Sequence, residues 1–327
     1  MSRSARSHRA LVASVLGSCG CLVLSGCGLL AADAAPTVDG PVTLGFVNGG
    51  STRFHECLEA AVVDTALNNS ARIHTAESRQ DAATELANIQ DMIARHVDAL
   101  IVQTVDVDAL QKDIAKAKKA GVPIFLTSVV TDDTTDILGA VVVDLKQVGA
   151  LDAGWIEKDA AGQKVNVGVV AGAPGAASDL LVGGFKGALP ANATVVANKP
   201  GMFSPAKART VAAGMLEAHP DLDYVFVASE EMAFAVREAF DAAGAKAVKI
   251  VTVNGTDEGL AALKDGRFAA TVANSAADTG ELAVTNALAL LRAEGDVDKV
   301  VTTRVRLVTK GTADTAPLYC NPDPDAD

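Results

Sequence analysis

His55-Glu56-Cys57-Leu58-Glu59 brings an imidazole, a thiol and two carboxylates into one short run. As a metal site it lacks the second histidine of a His-Glu-x-x-His helix, and no other Cys or His cluster supports it, so no metal is expected. Glu56 and Glu59 fall near a helix start, where carboxylates complement the dipole. Covalent chemistry is no better served. The chain has no Gly-x-Ser-x-Gly elbow, no Gly-x-Gly-x-x-Gly fingerprint and no Gly-Lys phosphate loop. Its acids show no pairing of a general acid with a base. An enzyme is not expected, nor a cofactor.

What remains is recognition. Phe54 follows Gly49-Gly50-Ser51-Thr52 in a loop that can offer a ring to a ligand, with His55 beside it as a hydrogen-bonding partner. Asn254 stands at the carboxyl end of a Val-rich strand, just before Gly255. Phe203 precedes another helix. Trp155, on a Gly/Ala-rich helix, reads as packing.

The elements that must position these groups alternate from Val42 onward. Val/Ile-rich runs typical of buried parallel strands are Val42–Val47, Ala99–Gln103, Ile124–Thr127, Val165–Val170, Tyr224–Ala228 and Ile250–Val253. Between them apolar residues recur three and four apart, as in Leu58, Ala61, Val62, Thr65 and Ala66, or Leu86, Ile89 and Ile93. Gly121-Val122-Pro123 and His219-Pro220-Asp221 end helices. Repeated β-α units imply parallel sheets with helices on both faces. The strands are too many for one sheet, and extra extended runs at Ala140–Val143 and Val300–Val308 break the alternation. The expected fold is α/β, with two similar open parallel-sheet lobes and three crossings of the chain between them. The expected lobes are 42–143 with 275–301, and 144–274 with 302–316, followed by a tail at 317–327. Ligands of such sheets sit at the carboxyl ends of the strands, here in the cleft between lobes.

The first 26 residues carry Arg3, Arg6 and Arg9, then the apolar stretch Leu11–Val23. That is the layout of a secretory signal, too short to span a membrane. Leu24-Ser25-Gly26-Cys27 resembles the lipobox of bacterial lipoproteins, in which the cysteine receives lipid and becomes the new N-terminus. Residues 27–41 would then tether a protein anchored at the outer face of the cell membrane. The chain has 28 basic residues, three of them in that leader, against 40 acidic ones, so the mature net charge is −15. Such a balance argues against nucleic acid or an anionic lipid surface as partner. After lipidation of Cys27, Cys57 and Cys320 remain in an oxidising exterior, where two leftover thiols are expected to form one disulfide, the alternative at opposite ends of the chain being two separately buried thiols. The bridge would pin the tail to the first lobe without entering the binding chemistry.

Glu85-Leu86-Ala87-Asn88-Ile89-Gln90-Asp91, Asp98-Ala99-Leu100-Ile101-Val102 and Asp106-Val107-Asp108-Ala109-Leu110 together resemble the first lobe of type I sugar-binding proteins of ABC importers, in the ribose-binding branch. Ala218-His219-Pro220-Asp221, Glu230-Glu231-Met232-Ala233 and Gly255-Thr256-Asp257-Glu258-Gly259 resemble the second. Leu263–Ala273 resembles the return toward the first lobe. The likeness runs from about Val42 to Thr309, in the family's order.

The resemblance implies a ligand set, carried over position by position. Thr52, Phe54 and His55 stand where the family has an Asn and two Phe. Gln103 replaces an Asn. The Asp-Arg pair of the family falls on Ser128 and Val129, and the second-lobe arginine on Asp179. Phe203 retains an aromatic, Ser229 replaces an amide, Asn254 an aspartate and Asn274 a glutamine. Without either arginine the site argues against ribose itself and for a neutral polyol, a pentose or a related small sugar. Asp179 and Glu230 leave open a cationic or amino-substituted ligand. The implied partner is a membrane permease, with a monomeric binding protein delivering solute by lobe closure; presentation of the same ligand to a membrane receptor is the alternative.

Overall fold

The computed structural model describes residues 40–321. The expected signal, Cys27 and nearly all of the tether lie outside them. The chain opens as β1 (Thr43–Asn48), α1 (Arg53–Asn68), β2 (Arg72–Glu77), α2 (Ala82–Ala94), β3 (Ala99–Val102), α3 (Val107–Lys119), β4 (Ile124–Ser128) and β5 (Gly139–Val142). It continues through α4 (Leu145–Ala160), β6 (Val165–Ala171), α5 (Ala176–Ala188), β7 (Ala193–Pro200), α6 (Pro205–Ala218), β8 (Tyr224–Val227), α7 (Glu230–Ala242), β9 (Lys249–Asn254), α8 (Asp257–Asp265) and β10 (Ala270–Asn274). It ends in α9 (Ala276–Leu291), β11 (Val300–Thr302) and β12 (Val305–Thr309).

Two six-stranded sheets result. Their orders are β11-β5-β4-β3-β1-β2 and β12-β10-β9-β8-β6-β7. Every pairing is parallel except β10 with β12, whose short connection from the other sheet brings β12 in antiparallel. The extended run at Val300–Val308 is therefore two strands, one in each sheet, parted at Thr303-Arg304. β2 and β7, at one edge of each sheet, carry too many polar or half-exposed residues to read as buried strands.

Successive side chains of a strand point to opposite faces, and the first sheet uses both. Ala99 and Ile101 of β3 pack toward α1 and α9, whereas Leu100 and Val102 pack toward α2 and α3. That double burial is why these strands are continuous Val/Ile/Leu runs. In the second lobe Phe185 of α5 stacks on Phe226 of β8 with centroids 4.4 Å apart. Trp155 packs edge-on against Tyr224, as its helical setting suggested.

Strand order reverses between β1 and β3 in one sheet and between β6 and β8 in the other. Loops leaving neighbouring strands at such a switch point diverge to opposite faces, which leaves a crevice at the carboxyl ends. The two crevices face a common cleft.

Candidate functional site

A cavity of about 370 Å³ occupies that cleft, within the range of small-ligand sites. On the first-lobe side its wall starts from the β1–α1 loop. Gln103, just after β3, accepts a hydrogen bond from the Gly49 amide at 2.9 Å through Oε1. A Cβ on Gly49 would run into the Gln103 side chain, so this approach requires glycine. Asn48 Nδ2 donates to the His55 carbonyl at 2.9 Å and holds the start of α1. His55 Nδ1 accepts from the Thr52 amide at 3.3 Å and lies 2.8 Å from Thr52 Oγ1. The ring proton is thereby assigned to Nε2. Burial pushes the His55 pKa down to about 4, with the Gln103 hydrogen bond opposing, so the imidazole is neutral at pH 7. Phe54 packs edge-on to His55 with centroids 5.6 Å apart.

In the second lobe Phe203 reaches the cavity through a turn in which Met202 and Phe203 have φ of 61° and 50°. Ser128 (φ 73°) and Asn254 (φ 135°) also line the wall with left-handed backbones. Non-glycine residues in that region are uncommon and strained, and such residues gather where function over-determines the backbone.

Glu230 explains how the Asn254 loop is held. Its buried carboxylate accepts from the Gly255 amide at 3.0 Å, the Thr256 amide at 2.8 Å, Thr256 Oγ1 at 2.5 Å and Thr271 Oγ1 at 2.6 Å. Burial raises its pKa and those hydrogen bonds oppose the rise. Fully engaged, it is a brace between α7, α8 and β10, not a partner for a cation. Asp179 corrects a second expectation. It is exposed in the first turn of α5 and does not line the cavity; buried Ser178 does. The Gly/Ala-rich stretch before α5 offers no bulky residue to fix register by sequence, and the place shifts by one. Asp179 thus lies outside the cavity, whereas Glu230 belongs to its lining with its carboxylate committed to four hydrogen bonds.

The remaining expected residues come together. Thr52, Phe54, His55, Gln103 and Ser128 line the first-lobe side; Phe203, Ser229, Asn254 and Asn274 line the second. Ser128 Oγ and Asn274 Oδ1, one from each lobe, are buried with no hydrogen-bond partner among the described residues. Buried polar atoms are rarely left so, and both residues belong to the cavity lining. Glu231 Oε1 accepts from the Arg53 amide at 2.8 Å, which ties the lobes at the cavity mouth.

Tyr319 was missed. Cys57 of α1 and Cys320 form a disulfide with Cα atoms 5.1 Å apart and 263 residues of separation. The bridge does more than pin the tail: it sets Tyr319 into the cavity wall, where its hydroxyl accepts from Asn254 Nδ2 at 2.9 Å. The available signal was that Cys57 lies one turn from Phe54. Phe234 is a further aromatic in the wall, and Gln80 a further amide.

The wall combines aromatic and aliphatic groups with hydroxyls, amides and one imidazole, and the charged side chains of Arg53, Glu230, Glu231 and Glu258 also belong to its lining. The chain matches the profile of the periplasmic binding protein domain over residues 45–295. The ribose import binding protein of Bacillus subtilis (strain 168) is 28% identical over 262 residues, spanning 79% of this chain and 83% of that protein. Its counterpart in Escherichia coli (strain K12) is 32% identical over 223 residues, spanning 67% and 74%. One solved structure is the periplasmic binding protein component of the arabinose ABC transporter from Shewanella sp. ANA-3, bound to α- and β-L-arabinofuranose. It is similar with a TM-score of 0.79 and 26% identity, covering 84% of this chain and 94% of that one.

Proposed function

This chain belongs to the periplasmic binding protein family, and from that premise we propose that it captures one small uncharged sugar or polyol and delivers it to an ABC importer permease. The ligand sits in the interlobe cleft and draws the lobes closed around it. The protein is a monomer, works outside the cytoplasm, and is held at the membrane by lipid on Cys27. It performs no covalent chemistry.

The observation that carries the reading is a cleft wall that sets two aromatic rings, Phe54 and Phe203, among the hydroxyl and amide side chains of Ser128, Ser229, Gln103, Asn254 and Asn274. A polyhydroxylated ligand supplies O–H donors to such acceptors, and its C–H faces suit Phe54 and Phe203. The related ribose and arabinose proteins support the substrate class. The absent arginines separate this chain from ribose within it.

The test is a thermal-shift screen of protein lacking residues 1–27 against pentoses, hexoses and polyols. A ligand at 100 times its Kd adds about 2.7 kcal/mol of stability. We expect a neutral sugar or polyol to raise the melting temperature. A shift produced only by an amine or amino acid overturns the substrate class.

A further inference from the structure

We propose, resting on the sugar-binding reading, that Tyr319 is a ligand-contacting residue carried into the cleft by a C-terminal strap. Both sides of the strap are fixed. Cys320 is bonded to Cys57 on α1, and the Tyr319 carbonyl accepts from the Ala277 amide at 3.1 Å at the start of α9. The side chain, only 5% exposed, packs with Cys57, Ala276 and Phe54 on the first-lobe side. Its hydroxyl then crosses to the second lobe and accepts from Asn254 Nδ2.

A phenol can both donate and accept. The Tyr319 oxygen is used as an acceptor, while its proton has no acceptor among the described residues. Burial, and then the carboxylates of Glu230 and Glu231, keep that proton in place well above the ordinary tyrosine range. The cavity wall therefore holds a permanent O–H donor beside the Phe54 ring. Asn254 is coupled to it: its Nδ2 serves Tyr319, and its Oδ1 accepts from the Glu230 amide at 3.3 Å. A ligand hydroxyl accepting from Tyr319 meets a donor whose orientation is already set by an element of each lobe. The sequence feature that makes this wall is the Tyr319-Cys320 pair, so the disulfide is part of the binding apparatus.

The test compares wild type, Tyr319→Phe and the double variant Cys57→Ser/Cys320→Ser by calorimetric titration. The probes are D-ribose, L-arabinose, xylitol and myo-inositol with their monodeoxy counterparts. Tyr319→Phe should weaken the tightest of these about tenfold, the worth of one neutral hydrogen bond. For one hydroxyl of that ligand, deletion should cost wild type more than it costs Tyr319→Phe, a non-additivity that a purely structural tyrosine does not produce. Equal costs at every hydroxyl overturn the contact. In the double variant, hydrogen exchange should show the Ala277 amide losing protection; unchanged protection overturns the strap. Tyr319→Phe keeps the disulfide, so the contact is tested even where the double variant fails to fold. If no probe binds wild type, the sugar reading falls instead, and exchange at Ala277 decides the strap by itself.

Discussion

His55 and Glu85 pull the pH dependence of stability in opposite directions. The His55 pKa is lowered from 6.5 to about 4 by burial, so its contribution is present above pH 6.5 and lost as pH falls toward 4. Glu85 accepts from Thr104 Oγ1 at 2.7 Å and the Val105 amide at 2.6 Å under the cavity wall, and burial pushes it up to about 7. Its contribution is present below pH 4.5 and lost as pH rises through 7. Between pH 4.5 and 6.5 the two slopes oppose, each on the order of 1.4 kcal/mol per pH unit. Relative to wild type, His55→Asn should lose stability as pH rises across that window and Glu85→Gln should gain it. Chemical denaturation at pH 4.5, 5.5 and 6.5 checks both; parallel profiles for all three proteins would refute the assignment. At this scale, Asn254 is legible in sequence because it stands at the end of a buried Val-rich strand, whereas Gln103 and Ser128 are reached only through the family resemblance. Tyr319 is reached by neither, because no periodicity relates the tail to a cleft that exists only after folding.

Among the elements, α7 and α8 meet through one carboxylate. Gly259 in the first turn of α8 lies against Glu230, and a Cβ there would run into its carboxyl group. Gly259→Ala should therefore destabilise by about 1–3 kcal/mol, the usual cost of an inserted methyl in a packed interior. It should also weaken ligand binding, because displacing Glu230 releases the Gly255 and Thr256 amides next to Asn254. Melting and titration of that variant check the two effects; a change in neither would show that Glu230 does not brace the loop. Buried strands and amphipathic helices declare themselves in the sequence through spacing. Edge strands do not: β2 reads Arg-Ile-His-Thr-Ala-Glu and alternates only weakly, since one side of the sheet ends there. The parting of Val300–Val308 between two sheets is invisible for a different reason. Both halves are extended, and only tertiary pairing distinguishes them.

For the molecule as a whole, three passages between the sheets hold two lobes that touch at the mouth through Arg53 and Glu231. Among the described residues no helix is long and apolar enough to cross a membrane. The lipid anchor we propose at Cys27 is open to direct test. Cys27→Ser should move the protein from the membrane fraction to the soluble extracytoplasmic one, or leave its precursor uncut. Mass spectrometry of the wild-type N-terminus provides the complementary check, and an unlipidated mature chain beginning downstream of Cys27 would sink the anchor. The same net acidity that keeps such a protein soluble also discourages it from lying on anionic lipid.

Tyr319 follows every other cavity-lining residue in chain order, and Cys57 must wait through 263 residues for its partner. Every strand of both sheets is therefore encoded before the residue that completes the cleft wall. A chain ending upstream of the strap would keep every strand of both sheets and lack this part of the cleft wall.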